Sequence, residues 1–433
     1  MSHISQDCAL QCPEGGHALV LLDTTEVNYH SHNGRFKIND ADLGVLSNNT
    51  NTSTGLLLHA GLVVEAQSQL PIGLSSVHVW HRAFERPAKS KLEREMQPLE
   101  EKESYRWLET VHQSSTCLQK ASQVTVIADR ESDIYELFGS LPDERTHILV
   151  RSNTDRLTAS GEKLSTCLAK QAWQGQKHIS VQGNPHRPTR EASLQVRWTQ
   201  IGLAPPAKRK SLLKDYPQAL KVWAVELLET PDSVPQGEEA VHWRSPPGRL
   251  LTTHPVACLT EALQIADWYA LRWLIEELFH ILKSKGMQVE ESLFETGAAL
   301  KKLLVLSLAS SWKILLMKQE RKGQNNLAAS VCFQAEEITL LKALQPALEG
   351  STRKQQNPHQ GETLAWAAWL IARLGGWKLA DLDIRPFGVI ALVRGMKAFK
   401  QQWQGWRAAK EYMQNFHTFP TARRPLNPWK TYR

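Results

Sequence analysis

Apolar residues recur at helical spacing along Glu261–Lys285, EALQIADWYALRWLIEELFHILKSK. At about 100° per residue, Leu271, Leu274, Ile275, Leu278, Ile281 and Leu282 share an arc of roughly 120°, which predicts one amphipathic helix with a core-facing stripe. Thr260 stands at the N-cap with Glu261 in the first turn, Lys283 and Lys285 close the last turn, and Gly286 marks the stop. The opposite side gathers Tyr269, Arg272, Glu276 and Lys283 within about 60°, with His280 beside them. A carboxylate set between two basic residues can meet a cation while its neighbours meet an anion. A plain helix surface with i,i+4 ion pairs accounts for the same spacing.

Upstream the period changes from helical to alternating. HALVLLD reads as a short apolar strand ending on Asp23, with Thr24 and Thr25 as turn residues. The polar segment 30–54 reads as a loop, and LLLHAGLVVEA and IGLSSVHVWHR complete a three-strand meander. A charged loop spans 85–104 and a helix follows to about Leu118. QVTVIAD is a second buried strand ending on an Asp, Asp129; it runs into RESDIYELF, read as a helix, and then the strand THILVRS. From about 153 to 250, short strands (HISVQG, ASLQVRW, LKVWAVELLE) alternate with the loops NPHRPTR and APPAKRK. RLLTTHPV leads back to the long helix. Beyond 300 the periodicity is helical, ending in the basic tail PTARRPLNPWKTYR, while residues 1–16 read as an unstructured leader.

Composition narrows the class. With 433 residues, 42% hydrophobic, and 15 Trp, the chain is globular and long enough for two or three domains. Its six cysteines are scattered without zinc spacing, which points to a reduced, cytoplasmic chain. No signal peptide is visible, and the longest apolar run, Leu303 to Met317, is interrupted by Lys313 and too short to span a bilayer. Residues 301–433 hold 21 Lys+Arg against 8 Asp+Glu, a balance of +13, whereas the whole chain is only +7. A basic C-terminal part on an acidic body fits a polyanionic partner.

Two strands ending in Asp bring carboxylates to one sheet edge when they are neighbours, and a helix across that edge can add a third for hard cations. Asp23, Asp129 and Glu276 fit this pattern, although a strand-end Asp is by itself more often a turn or cap residue. Phosphatase chemistry of the haloacid dehalogenase type would need a second Asp two residues after Asp23, where Thr25 stands.

VIADRESDIYELF resembles the D-R-E-A-D-type motif of bacterial insertion-sequence transposases, with Ser132 in place of the usual Ala. Tyr269, Arg272, Glu276 and Lys283 match their Y-R-E-K signature at every spacing, and LLDTT is similar to their first-Asp motif. WAAWLIARLGG resembles their C-terminal region. The likeness covers most of 17–410 and is to DDE transposases of the IS-four type.

This resemblance implies an α/β chain: an RNase H-like catalytic core interrupted by a β-rich insertion and followed by an α-helical C-terminal region. The expected boundaries are a leader at 1–16, the first core part at 17–152, the insertion at 153–250, the Glu-bearing helix at 251–300 and a basic helical region at 301–433. It further implies that Asp23, Asp129 and Glu276 bind two Mg²⁺, with Mn²⁺ able to substitute. One ion would activate water or a 3′-OH and the other would stabilise the leaving 3′ oxygen. End nicking, hairpin formation and resolution, and strand transfer would follow. Tyr269, Arg272 and Lys283 would hold terminal phosphates, and Arg151 would contact DNA. The implied partners are double-stranded transposon-end and target DNA and a second subunit when DNA is bound, in a cytoplasmic, nucleoid-associated protein with no membrane role. Two departures stand out. Gly248 replaces a Trp on which a flipped base stacks in many members, the nearest Trp being Trp243, and only 22 residues precede Asp23, where members carry an end-recognition domain. The alternative is therefore a truncated, non-catalytic DNA-binding or dimerising inhibitor.

Overall fold

The computed structural model describes residues 2–36, 40–46, 53–84, 90–181, 188–235, 248–378 and 386–416. The polar run at 47–52, residues 85–89, the loop at 182–187, Trp243 and the basic tail lie outside them. The chain divides into two compact units, residues 1–316 and 317–433. Among the described residues no helix is long and apolar enough to cross a membrane.

One ten-stranded sheet carries the first unit. Its strands are β1 (His17–Asn28), β2 (Gly44–Val45), β3 (Thr54–Glu65), β4 (Pro71–Trp80), β5 (Gln123–Ala128), β6 (Thr146–Arg151), β7 (Gly175–Val181), β8 (Arg190–Leu203), β9 (Leu220–Glu229) and β10 (Arg249–Thr252). The order is β2-β3-β1-β5-β6-β10-β9-β8-β7, with β4 also on β3. β1, β3 and β4 form the expected antiparallel meander, whereas β5 runs parallel to β1 and β6 parallel to β5. The strands of 175–229 are not a separate sheet. β9 pairs with β10, which pairs antiparallel with β6, so this region prolongs the central sheet.

Asp23 is a correction to the sequence reading: β1 does not end there. It continues through Thr24 and Thr25 and stays paired with β3 as far as Asn28 opposite Gly55. Residues read as turn formers are strand residues, because the β3 ladder satisfies their backbone and β-branched side chains suit a pleated surface.

Alternation gives the sheet two buried faces. Ala18, Val20, Leu22, Val124, Val126 and Ala128 join one core cluster with Trp107 and Val111 of α3 (Tyr105–Cys117). Leu19, Leu21 and Ile127, the alternate residues, are equally buried and face the other way. There α6 (Leu259–Ala270) and α7 (Trp273–His280) cover β6, β8 and β1. The expected leader is instead helical over Ser2–Gln11, α1. Its Cys8 and Cys12 are buried in the cluster of Trp107, acting as small apolar residues. Gly73 of β4 permits that approach, since a Cβ there would stand 2.7 Å from the Cys8 Cβ. Short helices α2 (Lys91–Met96), α4 (Tyr135–Gly139) and α5 (Leu164–Ala169) belong to the first unit, and the long α8 (Gly297–Gln319) runs across the division at 316/317.

The second unit packs α9 (Ala335–Leu348), α10 (Leu364–Leu374) and α11 (Val389–Phe416). Every residue of α10 from Leu364 to Ala372 is buried, and the Trp366 indole donates to the Gln345 Oε1 at 2.8 Å. Gly395 lets α11 close on α10: a Cβ there would lie 1.8 Å from the Ile371 carbonyl oxygen. The structure is thus mixed α/β with a large sheet and C-terminal helices.

Candidate active site

The register of β1 on β5 decides where the two aspartates lie. His17 stands opposite Gln123 and Leu21 opposite Ile127, an offset of 106. The same offset sets Asp23 level with Asp129, two residues beyond the last pair and on the same face as Leu21 and Ile127. That face is the one on which α7 packs against β1.

The predicted single helix is tightened at the point that matters. Leu271 and Arg272 keep helical dihedrals, but the Arg272, Leu274 and Ile275 amides bond three residues back, to Tyr269, Leu271 and Arg272. This is a 3₁₀ turn within a helical path, and a π-helical turn, Ile281–Lys285, follows α7. The helix begins at the Cys258 N-cap, where Glu261 accepts from the Ala257 and Cys258 amides, and not at Thr260. The apolar stripe holds at Leu274, Ile275, Leu278, Ile281 and Leu282, all buried, while Leu271 is part exposed.

Arg272 emerges from the tightened turn and forks. One guanidinium nitrogen donates to Asp23 Oδ2 at 3.2 Å and the other to Glu276 Oε1. The strand carboxylate and the helix carboxylate are therefore joined through one arginine. Asp129 caps the 3₁₀ turn Arg130–Ser132, its Oδ1 accepting from the Glu131 amide at 2.9 Å. The helix expected directly after it starts only at Tyr135, because Asp133 turns aside to Arg156 and the Asn153 amide. Tyr269 is buried at 3% exposure, and burial raises its phenol pKa against the lowering influence of Arg272 and Arg151. The charges of Arg272, Arg151 and Asp129 thus all reach Tyr269. Lys283 lies apart from them and donates to the Glu26 carbonyl at 3.1 Å, three residues along β1 from Asp23.

Burial pushes the Asp23 carboxyl up to about 6. Arg272 and the Thr24 amide pull it down, and the charges of Asp129 and Glu276 push it further up. The folded carboxyl binds its proton more tightly than the unfolded one, so this stabilising contribution is complete below the ordinary value of 3.8 and lost as pH rises through about 6. Ionised Asp23 then costs about 3 kcal/mol at pH 8. Asp23→Asn should accordingly gain stability relative to wild type at pH 8 compared with pH 4, as read by thermal unfolding. Equal differences at the two pH values would sink this assignment.

The sheet and helix bring Asp23 and Glu276 to one arginine and Asp129 level with Asp23. Among the described residues, however, no three His, Cys, Asp or Glu side chains are grouped so as to hold a metal ion. Arg272 supplies positive charge between two of the carboxylates. The donor set itself suits a hard divalent cation, being three carboxylates of which one, Asp23, is raised in pKa by burial and by the charges of the other two. Gly248 is buried, its carbonyl accepting from the Leu227 amide at 3.3 Å.

Three residues near the site escaped the sequence reading. Trp273, next to Arg272, is 51% exposed, and its place on the polar side of the helical wheel was the available signal. His59 and Arg106 both reach the Thr24 hydroxyl, and nothing in their local sequence marks them.

Residues 106–312 match the family described as Transposase DDE domain. The match supports a DDE transposase. It covers just under half of the chain, taking in Asp129, Arg151 and the Tyr269–Lys283 stretch and beginning after Asp23. The chain is also similar to a solved piggyBac transposase synaptic complex with hairpin DNA, at 13% identity and a TM-score of 0.21. That alignment covers 73% of this chain and 56% of the other, so the chain spans little more than half the length of that transposase.

Proposed function

We propose that the chain is a cut-and-paste DNA transposase of an IS-four-type insertion sequence, with Asp23, Asp129 and Glu276 as its catalytic carboxylates. The observation that carries this reading is the level placement of Asp23 and Asp129 on parallel strands, with Glu276 tied to Asp23 through Arg272. The antiparallel meander followed by two parallel strands supports an RNase H-like core, with the β7–β9 region as the insertion before the Glu-bearing helix.

Asp23, Asp129 and Glu276 would hold Mg²⁺, which when bound supplies a nucleophile of lowered pKa and charge for the leaving oxygen. The protein's own groups set the geometry. β1 and β5 hold Asp23 and Asp129 at one level, and the tightened turn of α6–α7 brings Arg272 to Asp23 and Glu276. Once those carboxylates are otherwise neutralised, the same guanidinium can turn to a DNA phosphate, for which its planar fork is suited. Tyr269, which feels the charges of both Arg272 and Arg151, and Arg151 itself would add to that anion contact, and Lys283 would meet the backbone further along. Trp273 offers an exposed aromatic face beside them, suited to base stacking. Double-stranded DNA would be the substrate and a second subunit would join on it.

The direct test is strand transfer. Full-length protein, Mg²⁺, a labelled duplex with a 3′-OH end taken from the sequence flanking its gene, and a supercoiled plasmid should yield labelled plasmid. Labelled plasmid at the level of a no-metal control would reject the reading.

A further inference from the structure

Arg106, in the first turn of α3, takes no part in the chemistry proposed above, yet its setting is costly. A cation at a helix N-terminus opposes the helix dipole, and this one is largely withdrawn from water between Trp80 and Trp107, at 5.5 and 5.1 Å from their ring centroids. Its hydrogen bonds show what the position achieves. Nε donates to Thr24 Oγ1 at 3.2 Å, Nη2 to Glu131 Oε2 at 3.0 Å and Nη1 to the Glu103 carbonyl at 2.8 Å. The Thr24 amide in turn donates to Asp23 Oδ1 at 2.8 Å, and the Glu131 amide to Asp129 Oδ1 at 2.9 Å. One guanidinium therefore joins the two residues whose amides grip the two aspartates.

The geometry is that of a brace behind the sheet. Thr24 and Asp23 are adjacent on β1 and point to opposite faces, so Arg106 acts from the α3 side on carboxylates that open on the α7 side. The Thr24 hydroxyl accepts from Arg106 and also hydrogen-bonds His59 Nδ1 at 2.9 Å. His59 is fully buried, and desolvation lowers its pKa and keeps it neutral. Tying Oδ1 of each aspartate fixes the carboxylate planes and leaves Oδ2 of Asp23 presented on the other side, where Arg272 finds it.

We infer that Arg106 is a positioning residue, which through Thr24 and Glu131 holds Asp23 and Asp129 in the mutual orientation that binds a hard divalent cation. The inference rests on the carboxylate assignment above. The test is Mn²⁺ binding to the full-length protein, followed by electron paramagnetic resonance without DNA, together with circular dichroism and thermal unfolding. Arg106→Gln should weaken Mn²⁺ binding ten- to a hundredfold, as loss of an outer-shell partner does. Thr24→Val should act in the same direction, whereas Thr24→Ser, which keeps the hydroxyl, should stay within threefold of wild type. Because the residues act in one chain of contacts, the double variant should bind no worse than Arg106→Gln alone. If Arg106→Gln fails to fold, Thr24→Val and Glu131→Ala carry the test. Folded variants that bind Mn²⁺ within threefold of wild type, or losses that multiply in the double variant, would overturn the role. Asp129→Asn separates the two levels. If it loses Mn²⁺ while the Arg106 and Thr24 variants keep it, only the brace is rejected; if it keeps Mn²⁺, the carboxylate assignment falls and takes the brace with it.

Discussion

Asp129→Asn and Glu276→Gln should each abolish Mg²⁺-dependent cleavage of a pre-nicked DNA end, while the fold and the affinity for DNA stay near wild type. Both replacements keep side-chain volume and hydrogen-bonding capacity and remove only a negative charge. Asp129 Oδ1 accepts the Glu131 amide, and an Asn carbonyl can do the same, so the 3₁₀ turn survives. What is lost is charge that holds a cation where the phosphate reacts, and that charge acts on the transition state more than on the bound ground state. A loss of several kcal/mol in the barrier is at least about a thousandfold in rate. Cleavage by either variant within tenfold of wild type would show that the carboxylates were misassigned. A parallel loss of DNA binding would instead mean that they support the fold.

The part of this site that sequence made legible is the part set by local pattern. Two apolar runs with an Asp at a fixed distance from the start of each can be seen in HALVLLD and QVTVIAD, and their 106-residue separation is the register offset of β1 on β5. The apolar stripe of the long helix needed only its period. What remained hidden depends on partners far along the chain. Nothing in DTTEVN says whether the strand stops at Asp23; the β3 ladder carries it on to Asn28. No Gly or Pro marks Leu271 and Arg272, so the 3₁₀ turn that aims Arg272 comes from tertiary packing and not from propensity. HISVQG, ASLQVRW and LKVWAVELLE are readable as strands, but their joining the central sheet through β10 is a long-range pairing. α1 was missed because Cys8 and Cys12 give a weak apolar signal until they meet Trp107. Arg106 sits in EKESYR, a stretch that reads as solvated, and its role is visible only from the acceptors around it.

Arg272→Ala should have two separable consequences, because the guanidinium serves carboxylates in the structure and a phosphate in the proposed complex. Without DNA it balances Asp23 and Glu276, with its side chain 13% exposed and theirs 19% and 32%. Removing it takes away the leading influence that lowers the Asp23 carboxyl, so that group should titrate above its present value of about 6. The loss in stability should therefore be small at pH 4, where Asp23 is protonated in either protein, and grow to about 2 kcal/mol by pH 8. With DNA, one fewer phosphate contact should weaken binding to all sequences alike and flatten log K against log salt by about one unit. Arg272→Lys divides the two effects. A lysine keeps the charge and hence most of the salt slope, but it cannot fork between Asp23 and Glu276, so its pH-dependent instability should lie nearer to that of the alanine variant. A salt slope unchanged in Arg272→Ala would leave Arg272 as an ion-pair partner of the two carboxylates and remove it from the DNA contacts.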